Sequence, residues 1–115
     1  MDELIFQLMV LEEARAFLKS IPETDRNKIY YNIRKVQRGV LDAELFKKLD
    51  HSGIWEFRTL FRGISYRLFA FWDTETQRFV IATHGFIKKT QKTPAREIEK
   101  AESIRKKYFE AKKGK

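Results

Sequence analysis

The chain of 115 residues has no cysteine. That removes disulfides and thiolate metal sites, and it fits a reducing compartment. No stretch approaches the roughly 20 apolar residues that a membrane-spanning helix needs. The start, Met1-Asp2-Glu3, is acidic where a secretory leader is basic, and Gln7 soon interrupts the apolar run that follows. The expectation is a cytoplasmic protein with no membrane partner. There is no Gly-rich phosphate loop, no nucleophile elbow and no His/Asp/Glu group at metal-ligand spacing, so neither cofactor nor metal is expected. Glu56, Asp73 and Glu75 are not grouped as a metal-dependent nuclease requires. Internal repeats and linkers are also missing, which leaves a single domain, residues 1–115.

What is present is positive charge around an apolar interior. Apolar residues make up 43% of the chain, ten of them phenylalanine, enough for a packed core. Lysine and arginine number 24 against 16 acidic residues, giving +8 and a pI near 9.8. A small domain this basic is suited to a polyanion such as nucleic acid, or to an acidic partner. From His84 onward there are eleven basic and four acidic residues, so most of the surplus lies in the last quarter.

The pattern of the chain predicts its elements. Leu4 to Val10 is a short apolar strand. Leu11, Ala14, Phe17, Leu18 and Ile21 then fall on one helical face. Pro22 opens a second helix, with Glu23 and Asp25 near its positive end; Ile29, Ile33 and Val36 carry its stripe and Gly39 stops it. Tyr30 and Tyr31 flank that stripe and are read as core in preference to a base-stacking surface. Val40 to Gly53 reads as connecting chain with some helical spacing, closed by a turn at Asp50 to Gly53. Ile54 to Phe61 alternates, with Glu56, Arg58 and Arg62 on the polar side. Gly63 allows a turn, and Ser65 to Trp72 returns as the paired strand. A turn at Asp73 to Gln77 leads to a strand from Arg78 to Thr83, adjacent and antiparallel. Thr93-Pro94 caps a last, basic helix with Ile98, Ala101, Ile104 and Tyr108 as its stripe, and the tail from Lys112 is expected to fray.

The organising stretch is His84 to Pro94, a histidine at a strand end followed by Lys88, Lys89 and Lys92. A rigid element feeding a basic loop suits phosphate binding. Arg67 stands on an otherwise apolar strand, where its charge needs either a salt bridge, to Glu56 or Asp73, or a site to open into. Together these groups suit metal-free RNA cleavage by the 2′-hydroxyl. Arginine stabilises the phosphorane, while histidine or a lysine with depressed pKa moves protons.

Three motifs then carry a resemblance. Leu11 to Leu18 with Pro22-Glu23, the pair Gly53 to Arg58 and Tyr66 to Phe69, and His84 to Pro94 with Arg96-Glu97-Ile98 are similar to the RelE/ParE toxin superfamily, above all its HigB-like, phage-derived branch. The resemblance implies an α+β fold. Two N-terminal helices pack on a mainly antiparallel sheet of about four strands, followed by a C-terminal helix. It implies the toxin of a type II toxin–antitoxin system, a metal-independent, ribosome-associated mRNA endonuclease. The cognate helix-turn-helix antitoxin, the ribosome and mRNA would be its partners. The alternatives are a ParE-like gyrase-inhibiting toxin and a non-catalytic basic nucleic-acid-binding protein. Catalytic roles then fall on Arg67, His84, Lys88 and Lys89, and RNA binding on Arg58, Arg62, Lys92 and Arg96. Glu56 stands where RelE proper has a lysine, which leaves His84 or Lys89 to compensate.

Overall fold

A computed structural model describes residues 3–49, 51–76 and 78–114. The expected turns at Asp50 and Gln77, and the extreme termini, thus reach outside the described residues. Strand β1 (Gln7–Val10) is followed by helices α1 (Glu12–Ser20) and α2 (Glu23–Gln37). Strands β2 (Phe46–Lys48), β3 (Trp55–Phe61), β4 (Ile64–Trp72) and β5 (Phe79–Ile87) come next, and helix α3 (Ala95–Lys113) ends the chain. The five strands form one sheet in the order β1-β5-β4-β3-β2, antiparallel except for β1 on β5. The α+β architecture follows the expectation, with one strand more.

That additional strand is β2. Leu41, Leu45, Phe46 and Leu49 mimic helical spacing, but Phe46 to Lys48 pair with Trp55 to Phe57 instead. Three residues are too few to display a period of two. The first strand is also shorter than expected, beginning at Gln7.

Alternation along the strands builds two cores. Trp55, Phe57, Tyr66, Leu68, Ala70 and Val80 face α1 and α2, where Ala14, Leu18, Ile29, Ile33 and Val36 meet them. Phe69, Phe71 and Ile81 face the other way, against Ala101, Ile98 and Tyr108 of α3. Gly85 sits where α1 comes down on the sheet. A Cβ there would lie 2.4 Å from the Phe17 ring, so only glycine permits this approach. The β3–β4 hairpin turns on Arg62 and Gly63, both at positive φ (51° and 78°), as a tight two-residue hairpin demands.

One irregularity in β5 has a large consequence. Phe69 pairs with His84 but Ala70 pairs with Ala82, so Thr83 is an extra residue in β5. A bulge reverses the side-chain alternation beyond it. His84 and Phe86 therefore face α3 with Phe69, and Gly85 faces α1.

The C-terminal helix is fastened at its far end. Buried Asp73 accepts hydrogen bonds from Tyr108 Oη (2.6 Å) and Lys112 Nζ (2.7 Å), and from the backbone N–H groups of Glu75 and Thr76. Lys112 is therefore docked where fraying was expected, and α3 continues to Lys113. Burial would raise the Asp73 pKa, but these donors outweigh it and hold it at about 2. A depressed carboxylate stabilises the fold above its unfolded pKa, about 3.9, and that contribution is lost as pH falls toward 2. Asp73→Asn is accordingly expected to cost about 1–3 kcal/mol near neutrality, several degrees in melting temperature, with the difference from the parent shrinking at pH 2.5. Thermal melts at the two pH values check this; identical melting at pH 7 would refute it.

Candidate functional site

The polar side of β3 and the start of β4 bring charge together. Arg58 and Arg67 are cross-strand partners, and Glu56 lies two residue pairs further along on the same face, opposite Lys47 on β2 and Phe69 on β4. Glu56 Oε1 lies 3.3 Å from Arg58 Nε and 3.5 Å from Arg67 Nε. Arg67 also donates to the Tyr66 carbonyl. Both Glu56 and Arg67 are buried, at 2% and 7% exposure. Yet among the described residues Glu56 Oε2 and Arg67 Nε have no partner within hydrogen-bond geometry. Buried polar groups are normally satisfied, so this pair has bonding capacity to spare at the edge of a cationic surface.

Lys88 completes the group. Its N–H donates to the Ser65 carbonyl, which anchors the chain just past β5 beside the start of β4. Burial lowers its pKa, and the charges of Arg67, Arg58 and Lys47 lower it further against the upward pull of Glu56. One half-buried lysine thus shares a surface with two arginines, a second lysine and the buried Glu56 carboxylate, with Glu44 also acting on Arg67. That arrangement can hold a phosphate and exchange a proton with it. Among the described residues, no three His, Asp or Glu side chains are gathered so as to hold a metal ion.

The other expected site residues are placed differently. His84 is not at a strand end: β5 continues to Ile87, because the bulge at Thr83 hides the continuation of the pattern. The imidazole is 3% exposed, with Thr83 Oγ1 at 3.0 Å from Nδ1 and Glu97 Oε1 at 3.2 Å from Nε2. Burial, then the charge of Lys100, lowers its pKa, while Glu97 raises it. Its row pairs with Phe69, one pleat repeat from the row of Arg67 and Phe86, so His84 links β5 to the first turn of α3. Arg62 is committed to a structural pair: it bonds buried Asp25, which also accepts from Tyr66 Oη. The Tyr66 phenol is pushed up to about 12 by burial and by Asp25. Lys89 and Lys92 are exposed on the loop, and Arg96 is exposed in the first turn of α3. Arg58, Arg67 and Lys88 are therefore drawn together, while His84, Arg62, Lys92 and Arg96 lie apart from them or on the periphery. Lys47 and the central position of Glu56 were missed, since β2 has no signal of its own.

The fold matches that of an arginine double mutant of the E. coli toxin RelE, solved in the free state. The TM-score is 0.60 at 18% identity, covering 89% of this chain and 97% of that one. Among curated protein sequences none matches significantly. The family described as phage derived protein Gp49-like (DUF891) matches residues 16–106, which include the second half of α1, all of α2, β2 to β5 and the first part of α3. This chain, with its RelE-like fold, is a member of that Gp49-like, phage-derived family.

Proposed function

We propose that the protein is the toxin of a toxin–antitoxin pair and that it cleaves mRNA on the ribosome, with an antitoxin as its inhibitory partner. The observation that carries this reading is the buried, incompletely bonded Arg67–Glu56 pair flanked by Arg58, Lys47 and Lys88. RelE-like fold and family membership support the toxin assignment. The chemistry is assigned from the side chains.

In this reaction the RNA 2′-hydroxyl loses its proton and its oxygen attacks the adjacent phosphorus. The bond to the 5′-oxygen breaks and that oxygen takes up a proton. The products are a 2′,3′-cyclic phosphate and a free 5′-hydroxyl. Arg67 faces the charge that grows on the phosphorane oxygens, where a fixed donor is worth most. Glu56 holds the Arg58 and Arg67 guanidinium groups in orientation. Lys88, whose ammonium is destabilised, is the group that exchanges a proton. His84, linked to Glu97, sets the position of α3 beside the site and acts at a distance from the phosphate. Lys89, Lys92 and Arg96 supply phosphate contacts along the RNA strand.

Induced expression in growing cells, followed by mapping of mRNA 5′ ends, tests the assignment. New 5′ ends inside translated codons, appearing with growth arrest, are expected. Growth arrest with intact mRNA and blocked DNA supercoiling would replace this reading with gyrase inhibition.

A further inference from the structure

Tyr30 and Tyr31 are not core residues. They are 43% and 59% exposed on the outer face of α2, because that helix buries only the stripe of Ile29, Ile33 and Val36 with its polar neighbours. Lys28 and Lys35 lie beside the Tyr31 ring, at 4.8 and 5.7 Å from its centroid. Tyr30 and Arg34 form one wall of a groove of about 410 Å³ between α2 and the outer edge of β1, floored by Leu8, Val10 and Ile33. Lys28, Arg34 and Lys35 make no ion pair among the described residues, and no acidic residue follows Asp25 in the helix.

From this face we infer a second RNA-docking surface, on the side of the sheet opposite Arg67. It would take unpaired bases against Tyr30 and Tyr31, with their phosphates on Lys28, Arg34 and Lys35. Rings interleaved with cations are the means by which proteins hold single-stranded nucleic acid, since any base can stack and each phosphate finds a charge. An apolar protein helix would need a continuous apolar strip, and here three cations interrupt it. The groove is within the size range of small-ligand sites, roughly 300–1,000 Å³, and its α2 wall combines an aromatic ring with an arginine. The domain measures 44 × 40 × 26 Å, and the sheet separates this surface from the Arg67 cluster. One RNA touching both must therefore surround the domain. A large folded RNA with a cleft, such as the ribosome, meets that requirement, and here the inference rests on the proposed function. Arg67 would then face the mRNA while α2 grips the ribosomal RNA.

The test is binding of purified 70S ribosomes with an empty A site, read separately from cleavage at saturating ribosome. The variants are Tyr30→Ala with Tyr31→Ala, and Lys28→Glu with Lys35→Glu. All four positions are at least partly exposed, and circular dichroism verifies folding. Each pair is expected to weaken ribosome affinity about tenfold or more, the scale of losing a stacked base. The charge-reversed pair should also flatten the salt dependence of binding by about one to two units of log–log slope. The cleavage rate at saturation should stay near the parental value. Tyr30→Phe with Tyr31→Phe should restore binding, because the ring and not the hydroxyl does the stacking. Parental affinity in both pairs overturns the inference and leaves the function intact, since Arg67 is tested by cleavage. If the chain binds ribosomes through α2 but cleaves nothing, the function falls and the docking surface stands. If the pairs lose antitoxin binding but keep ribosome binding, the face belongs to a protein partner and the inference is wrong.

Discussion

Arg67→Gln is expected to lower single-turnover mRNA cleavage about 10²–10³-fold, the usual loss when one preorganised donor to a developing oxyanion is removed. The fold should survive. Glu56 keeps its contact with Arg58 at 3.3 Å, so its carboxylate is not left as an isolated buried charge, which would cost several kcal/mol. Glutamine occupies most of the space, and melting should shift by only a few degrees. Arg67→Lys keeps the charge but loses the planar fork, so partial activity is expected from it. Single-turnover kinetics and thermal melts on the same preparations distinguish the cases. A glutamine variant that cleaves at the parental rate would remove Arg67 from the chemistry. One that is inactive only because it is unfolded would make the Arg67–Glu56 pair a structural element.

Lys88→Ala is expected to have the next largest effect, about 10²–10⁴-fold on the saturated rate, as for a positioned acid or base. The pH profile separates its role from simple charge. Burial and the neighbouring cations lower the Lys88 pKa from the ordinary lysine range. If neutral Lys88 takes the 2′-hydroxyl proton, the rate rises as pH rises and levels off once the amine is deprotonated, below the ordinary value near 10.5. Removing a cation that depresses the pKa should move the plateau to higher pH, so Lys47→Gln provides an internal control. Lys88→Arg, which retains the charge at all accessible pH, should bind RNA but lose the rising limb. A parental pH profile in Lys88→Arg would show that Lys88 is only a phosphate contact.

The sequence displayed some of this arrangement because strands announce themselves by alternation. Glu56 and Arg58 stand on the polar side of β3, and Arg67 is a lone cation among Tyr66, Leu68 and Phe69. Its need for a counter-charge left Glu56 and Asp73 as candidates, and the structure supplies Glu56 while Asp73 bonds Tyr108 and Lys112. Other features depend on information that no local pattern contains. The extra residue at Thr83 reverses the inward and outward sides of β5, so a reader following strict alternation stops the strand at that point. The partner of Arg62 is Asp25, distant in sequence and reached only once α2 lies against the β3–β4 turn. Tyr30 and Tyr31 flank an apolar stripe in sequence, and only the width of the buried face of α2 decides that both rings remain outside. His84 looked like a reactive group at the mouth of a loop, but α3 folds back over it and occupies its ring nitrogen through Glu97.

The placement of His84 and Lys88 has a general physical reason. A lysine can carry proton traffic only where its charge is disfavoured but its amine remains reachable, and Lys88 is half-buried beside other cations. A histidine sealed between a strand and a helix meets the first condition and fails the second. Accessibility is therefore the ground on which Lys88 is proposed over His84 as the proton-exchanging group.

The chemical ends of the RNA fragments are the most direct test of 2′-hydroxyl transesterification at the Arg67–Glu56–Lys88 surface. Purified protein is added to ribosomes programmed with a defined mRNA, and both new ends are identified. Transesterification leaves a 2′,3′-cyclic phosphate on the upstream fragment and a 5′-hydroxyl on the downstream one, both absent with Arg67→Gln. A 3′-hydroxyl paired with a 5′-phosphate, or intact mRNA with the wild-type protein, would contradict it.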